Sequence, residues 1–530
     1  MQSQKRHFDA AVVGLGAAGS WAAKVLTENG LSVVALDAGR VLSATDLPRH
    51  ITPLSKKIRP ASYWTKLLFG RRKTQSRSIS FHPQIEHLYV DDKENPYSTR
   101  GGDNFLWIRG RQVGGRLHTW ARMALRLSDF DLKRAESDGW GIPWPIRYSD
   151  LAPYYDKVEA CHGLYGSCDG IPYLPDGVVS EQGAFSEPAA LFKNRIETRW
   201  PERRVIIPRI LRHNIEPIHA PLMHAIQTDR LRLITEAAVA RLLCNKEGNR
   251  GAAVEFIEVE TGQKSTVSAD LIFLCASSIE SVRILLNSHC AQHPAGLGNN
   301  HDLLGRYMLD HNFVIGSGYP GDVYRKLPWT PRESTPLNLS TDLDFYIPDF
   351  TRSLQDRSFI RGFGIQGTLT PTYWAMAVFG EMLPHEDNRV TLSHRVDAFG
   401  IPAVNISIQR RSNDKKMIES QKQQLLLLAK VAGLEVKMPL PRMLSGMLWK
   451  AVGPELGVLH LGLAVHECGG ARMGDTPEVS VLDHRNRVWG TENVYVTDGS
   501  CFPNTGCQNP TLTIMALTAR ACELALQGGG

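Results

Sequence analysis

His466 sits in the stretch VHECGGARMG, and Asn509 and Pro510 follow it in GCQNPTLTI near the end of the chain. A neutral imidazole can take a proton from a hydroxyl, and an amide N–H can stabilise the oxygen that is left. Gly469 and Gly470 leave space for a flat ring beside such a histidine. These residues also have ordinary structural uses. A core histidine is satisfied by its neighbours, and an Asn–Pro pair caps and opens a helix. At the other end of the chain, VVGLGAAG sets Gly14, Gly16 and Gly19 in G-x-G-x-x-G spacing. Gly14 permits a tight turn, Gly16 lets backbone approach a pyrophosphate, and Gly19 lets a helix lie close on a strand.

The elements that must hold these residues follow from the apolar pattern. FDAAVV reads as a strand, SWAAKVLTEN as a helix stopped at Gly30, and SVVALD as a second strand ending in Asp37. Strand, glycine turn, helix, strand and acid come in the order of a dinucleotide-binding unit. Asp37 lies 18 residues after Gly19, where a carboxylate can accept bonds from a ribose and repel a 2′-phosphate. This unit does not separate NAD from FAD. ADLIFLCASSIESVRILLNS, from Ala269 to Ser288, reads as a second buried strand, a small-residue turn and a helix. Before it, LRLITEAAVARLL and GAAVEFIEVETGQKSTVSA alternate like an antiparallel meander. In FLWIRGRQVGGRLHTWARM the glycines at 110, 114 and 115 suit either a plain turn or the close approach of a flat ligand. Residues 312–409 are β-rich and aromatic, and 413–450 have a helical pattern. NVYVTD is a last strand ending at Asp498-Gly499, and Leu512, Met515, Ala519 and Cys522 give the final helix a buried stripe.

A chain of 530 residues calls for two or more lobes. Hydrophobic content of 42% and charged content of 22% are those of a globular protein. No run of 18 apolar residues occurs, so no transmembrane segment is expected. The strand pattern begins at Phe8, leaving no room for a signal peptide, so a cytoplasmic location is expected unless a partner carries the chain out. Nine scattered cysteines read as reduced thiols. The absence of CxxC, HExxH, GxSxG and Walker spacings removes support for zinc, c-type haem and the common hydrolases, and no metal is expected. The net charge of +6 is small, yet nine Lys or Arg and no acid lie between Leu47 and Arg77. That insertion reads as a solvated surface or as a docking face for an acidic partner. No nucleic-acid module accompanies it.

The succession GLGAAG, GRQVGGRLHTW, ASSIESVRILL, HECGGARMG and GSCFPNTGCQNPTLTI is similar to the glucose–methanol–choline (GMC) family of FAD-dependent oxidoreductases over nearly the whole chain. VDDKENPYSTRGGDNFLWIRGRQVGGR and DGWGIPWPIRYSDLAPYYDKVE most resemble its branch of pyranose oxidases and glucoside 3-dehydrogenases. The resemblance implies His466 and Asn509 as the catalytic pair. It implies Gly14, Gly16, Ala17, Ala18, Gly19, Asp37 and Ala38 at the ADP end of FAD. Arg111, Gly114, Gly115, His118, Thr119, Trp120, Val239 and Ala276 would border the cofactor, and Asp498 and Gly499 its ribityl and pyrophosphate. Asn509, Pro510 and Thr511 would lie near the flavin ring. Some members tether the flavin through a histidine four residues after the second glycine of the pair. Here that position is Thr119, with His118 one residue earlier, so FAD is expected to be non-covalent, with covalent attachment through His118 as the alternative. His301 and His311 are expected to be structural.

The implied fold is α/β plus β. A Rossmann-like FAD-binding domain is built from the discontinuous segments 1–45, 100–165, 225–311 and 451–530. Residues 46–99 form a basic insertion or cover, and 166–224 with 312–450 form a substrate-binding lobe on an antiparallel sheet. The implied reaction oxidises a secondary alcohol of a sugar, glycoside or cyclitol to a ketone. Hydride passes to flavin N5, with His466 as base and C3 of a glycoside as one candidate position. Oxygen or a redox partner such as a cytochrome would take the electrons, and a small accessory subunit would accompany the chain in the manner of glucoside 3-dehydrogenases. The alternatives are an NAD(P)H-driven reductase or monooxygenase, which would need a second nucleotide site that no second GxGxxG supplies, a GMC oxidase of a non-sugar alcohol, and a non-catalytic FAD-binding protein.

Overall fold

The computed structural model describes residues 7–47, 70–101, 103–212, 216–330, 343–349, 358–436 and 457–528. The chain enters along β1 (His7–Val13), turns through the glycine loop into α1 (Ala17–Glu28) and returns along β2 (Val33–Leu36). Ala10, Ala11, Val12 and Val13 are all buried, as a strand covered on both faces requires. The edge strand β3 (Leu231–Ile234) pairs parallel with β2. It is followed by β4 (Ala237–Cys244), β5 (Gly251–Glu258), the long β6 (Lys264–Leu274) and α2 (Ser278–Asn287).

β6 belongs to two arrangements. Its first half, Lys264–Val267, pairs antiparallel with β5, completing a β4–β5–β6 meander. Its second half pairs parallel with β1, bringing Phe273 opposite Val12. LRLI was expected to open the meander. It instead lies beside β2, because its alternation suits the half-covered edge of a parallel sheet equally well.

The second lobe is built on β7 (His311–Pro320), β8 (Phe345–Ile347), β9 (Phe363–Leu369) and β10 (Trp374–Glu381). After these come the hairpin β11 (Arg389–Val396) and β12 (Pro402–Ser407), the helix α3 (Ser412–Ala432) and β13 (Leu434–Val436). The order β8-β9-β10-β7-β13 gives an antiparallel sheet. On one face Ile365, Trp374 and Val378 pack with Met417, Leu425 and Leu428 of α3. Each such side chain contributes roughly 1.5–3 kcal/mol by leaving water. The opposite face turns Phe313, Ile315, Ala377 and Phe379 toward a cavity. The helix expected over 413–450 stops at Ala432. Gly433, with φ of +68°, closes it by donating its N–H to the carbonyls of Ala429 and Lys430. Residues 437–450 lie outside the described ones.

The β11–β12 hairpin lies within 312–450 but buries Val390, Val404 and Ile406 in the core of the nucleotide-binding lobe. The chain then closes that lobe with β14 (Val494–Val496), parallel to β6, and α4 (Thr511–Gln527). The parallel order is therefore β3-β2-β1-β6-β14. The C-terminal ends of its strands deliver Gly14, Asp37, Ala276 and Asp498 to the rim where such sheets bind ligands.

Candidate active site

A cavity of about 470 Å³ is bordered by both lobes. Of the residues expected at a site, Gly14, Gly16, Ala17, Ala18, Asp37, Ala38, Arg111, Gly115, Thr119, Trp120, Val239, Ala276, Asp498, Gly499, Pro510 and Thr511 line it, together with His466 and Asn509. Gly19 lies beneath the turn. A Cβ there would stand 1.7 Å from the Gly14 carbonyl oxygen, so only hydrogen allows helix and turn to meet. Gly114 also stands off the cavity wall, at φ +89° before the short turn Gly115–His118. His118 turns away from the cavity. Its Nε2 donates to the Val113 carbonyl at 2.8 Å and its ring packs on His219 at 4.5 Å. Burial holds its pKa below the ordinary value.

The cavity fits FAD. No atom lies within 4 Å of where a Cβ of Gly16 would be, so that backbone faces open space. Gly115 closes from the other side, its own Cβ position 3.4 Å from the Gly16 Cα. Asp37 accepts from the N–H groups of Leu15 at 2.8 Å and Gly39 at 2.9 Å, one on each carboxylate oxygen, leaving lone pairs for a ribose. Burial pushes its pKa up. The N-terminus of α4 opens onto the cavity through Pro510, Thr511 and Ile514 and adds a partial positive charge.

At the far end, His466 Nδ1 lies 2.9 Å from His311 Nδ1, and His466 Nε2 lies 3.2 Å from Asn509 Nδ2. His311 Nε2 lies 2.9 Å from the Gly506 carbonyl. A carbonyl only accepts, so His311 carries its proton on Nε2. Burial holds His311 down to about 4, so the ring is neutral and its Nδ1 accepts. His466 must then carry its proton on Nδ1, which leaves a lone pair on Nε2 at the cavity, with the Asn509 amide beside it. Burial, then His311 and Arg116, hold the His466 pKa well below its ordinary value.

Two uses were open for Asn509, a cap for the last helix and a donor beside His466. Pro510 occupies the cap position instead and no side chain caps α4, because the Asn509 amide is directed to His466. Three further features had no signal in the local sequence. His311 was expected to be structural, yet it fixes the His466 ring from 155 residues away. Arg116 braces the loop that carries His466 by donating to Glu467 at 3.0 Å and to Ser277 Oγ at 3.1 Å. Phe379 lays its ring 5.2 Å from that of His466 and stacks on Phe313 at 4.5 Å. Val465, immediately before His466, has φ of +58°, a strained conformation for a β-branched residue.

Among the described basic residues of the insertion, Arg71 pairs with Asp91 and Glu94, and Arg72 donates to the Tyr89 carbonyl at 3.0 Å. Both cations are thus engaged within the chain. Residues 48–69 lie outside the described ones. Among the described residues no three His, Cys, Asp or Glu side chains gather as metal ligands, and no helix is long and apolar enough to cross a membrane.

Comparison with known proteins agrees with this geometry. The sequence patterns of GMC oxidoreductases match residues 22–312 and 384–518. The 2-methyl-1,2-propanediol dehydrogenase of Mycolicibacterium austroafricanum is 24% identical, over 98% of this chain and 95% of its own length. The fructose dehydrogenase large subunit of Gluconobacter japonicus is also 24% identical, over 99% of each chain. The solved structure of Aspergillus oryzae formate oxidase shares the fold at a TM-score of 0.69 with 16% identity, covering 99% of each chain. The chain belongs to the GMC oxidoreductase family, FAD-binding flavoenzymes that act on CH–OH groups.

Proposed function

We propose that this enzyme oxidises a secondary hydroxyl of a sugar, glycoside or cyclitol to a ketone, with His466 as the base. The observation that carries the reading is the hydrogen-bond chain from the Gly506 carbonyl through His311 to His466, which leaves Nε2 unprotonated, its lone pair accepting from the Asn509 amide until a substrate hydroxyl takes that place. A substrate oxygen seated between His466 Nε2 and Asn509 Nδ2 gives its proton to the first and accepts a hydrogen bond from the second. Bound FAD, held non-covalently, supplies the hydride acceptor. Arg116 and Glu467 hold the base loop in place, and Phe379 with Phe313 excludes water from one side of the imidazole.

The polyhydroxylated substrate is supported by Gln366. This residue is 6% exposed, lines the cavity, and its Oε1 has no hydrogen-bond partner. A buried amide of this kind calls for a hydroxyl on the ligand. Gln366 lies opposite Ala377 in the sheet, two residues along from Phe379. Strand spacings therefore put it about 8 Å from the residue that rests on the base, the reach of a sugar ring. The names of the diol dehydrogenase and of the fructose dehydrogenase subunit are in keeping with a polyol. The electrons leave to oxygen or to a redox partner such as a cytochrome.

The test is an anaerobic titration of the flavin absorption band with glycosides and cyclitols. Bleaching by one of them in the wild type, and its loss in His466→Ala that still holds flavin, is the expected result. Bleaching by NADPH and by no alcohol would overturn the reading. Acid denaturation should release the flavin into solution.

A further inference from the structure

Far from the cavity, two half-buried cysteines meet on neighbouring segments. Cys244 ends β4 and Cys290 follows the end of α2. The two segments are joined by successive contacts. Asn287 Nδ2 donates to the Ala240 carbonyl at 2.9 Å, and the Leu242 N–H donates to Ser288 Oγ at 2.7 Å. Further on, Gln292 Nε2 donates to the Lys246 carbonyl at 3.1 Å. Both segments advance in the same direction along these contacts, so Cys244 and Cys290 fall together between the last two. The Cys290 thiol donates to Gln292 Oε1 at 3.6 Å, on the side of the segment that meets β4. Cys290 stands between the exposed His289 and Ala291, open to small molecules in solvent. Five of the other cysteines, Cys275, Cys468, Cys501, Cys507 and Cys522, are buried.

We propose that Cys244 and Cys290 form a reversible dithiol–disulfide pair, closed by hydrogen peroxide, that staples the end of the meander to the segment leaving α2. Cys290, flanked by the exposed His289 and Ala291, is the thiol that peroxide reaches first and supplies the thiolate, while burial and the neighbouring thiol push Cys244 up. The Cys290 thiolate attacks one peroxide oxygen, forming a sulfenic acid and releasing hydroxide. Cys244 sulfur then attacks the sulfenic sulfur. The S–S bond forms, the S–O bond breaks, and the departing hydroxyl leaves as water with the Cys244 proton. In sum, two thiols are oxidised and one peroxide is reduced to two waters. The link ties β4 to α2, whose first turn carries Ser278 and Glu280 into the cavity wall.

The test uses the full-length, flavin-loaded protein, first reduced and freed of reductant, then treated with hydrogen peroxide. Thiols are counted after denaturation and the peptides are mapped by mass. The expected result is the loss of two of the nine thiols. One cross-linked peptide should join Cys244 to Cys290, dithiothreitol should restore both thiols, and the apparent melting temperature should be several degrees higher in the oxidised form. Cys290→Ser should keep its flavin and turnover and give no cross-link. Sulfinic acid at Cys290 without a cross-link, prior loss of other thiols, or no loss at all would each overturn the proposal. The wild-type peptide map decides the matter even if the variant does not fold.

Discussion

Replacing His311 with leucine tests the tautomer argument directly. The substitution removes the acceptor of the His466 Nδ1 proton at a position that is 0% exposed. A buried donor left without a partner costs about 1–3 kcal/mol. His466 escapes that cost by carrying its proton on Nε2 instead, where the Asn509 amide, turned over, can accept through its oxygen. The base atom is then already protonated. The 1–3 kcal/mol becomes the penalty for holding the productive tautomer, and the rate of flavin reduction should fall roughly 5- to 150-fold. His311→Gln is the control. Its amide can donate to the Gly506 carbonyl and accept from His466 Nδ1, so it should recover most of the loss. The assay is anaerobic stopped-flow reduction of the flavin, with flavin content and spectrum confirming an intact site. Both tautomers are neutral, so the loss should not change between pH 7 and 9. His311→Leu within twofold of wild type, or a loss that follows a titration, would refute the reasoning, because His311 would then be a packing residue or a charge setter.

Burial holds His466 well below the ordinary histidine value, so kcat/KM should stay level as pH falls through 6.5 and decline only below it. A decline centred at or above 6.5 in the pH profile would show a base of ordinary or raised basicity. Gly19→Ala forces a Cβ to 1.7 Å from the Gly14 carbonyl, so the turn must move, and the purified protein should carry less than about a tenth of the wild-type flavin by absorbance. Gln366→Leu should raise KM for the polyol about tenfold, leave kcat within a few-fold, and spare any simple alcohol that is turned over. Val465→Gly should relieve the strain at φ +58°, raise stability by about 1 kcal/mol in thermal unfolding, and lower kcat as the base loop loosens.

The two ends of the chain were legible for different reasons. At the N-terminus the chemistry is local. Gly14, Gly16, Gly19 and Asp37 act through one turn and the strands on either side of it, so spacing alone specifies the geometry. At the C-terminus, His466 and Asn509 were legible as a pair, with the asparagine open to two uses. Its residue type permits both a cap and a donor, and Pro510 at the cap position settles which is used. His311 was not legible at all. It stands at the first residue of a strand whose position is set by pairing with β10, and nothing in the order YMLDHNF marks it off from a packed histidine. Gln366 is hidden for the same reason: what singles it out is an amide oxygen without a partner, and that is a property of the packed sheet. The substrate lobe is therefore the less readable half of the molecule. Its strands alternate as any antiparallel sheet does, and which alternating positions face the cavity is decided only by packing against the other lobe. The glycine turn and Asp37 are set by short-range patterns, whereas the placing of His311 beside His466 and of Gln366 at the cavity wall follows from contacts made only after the two lobes have packed.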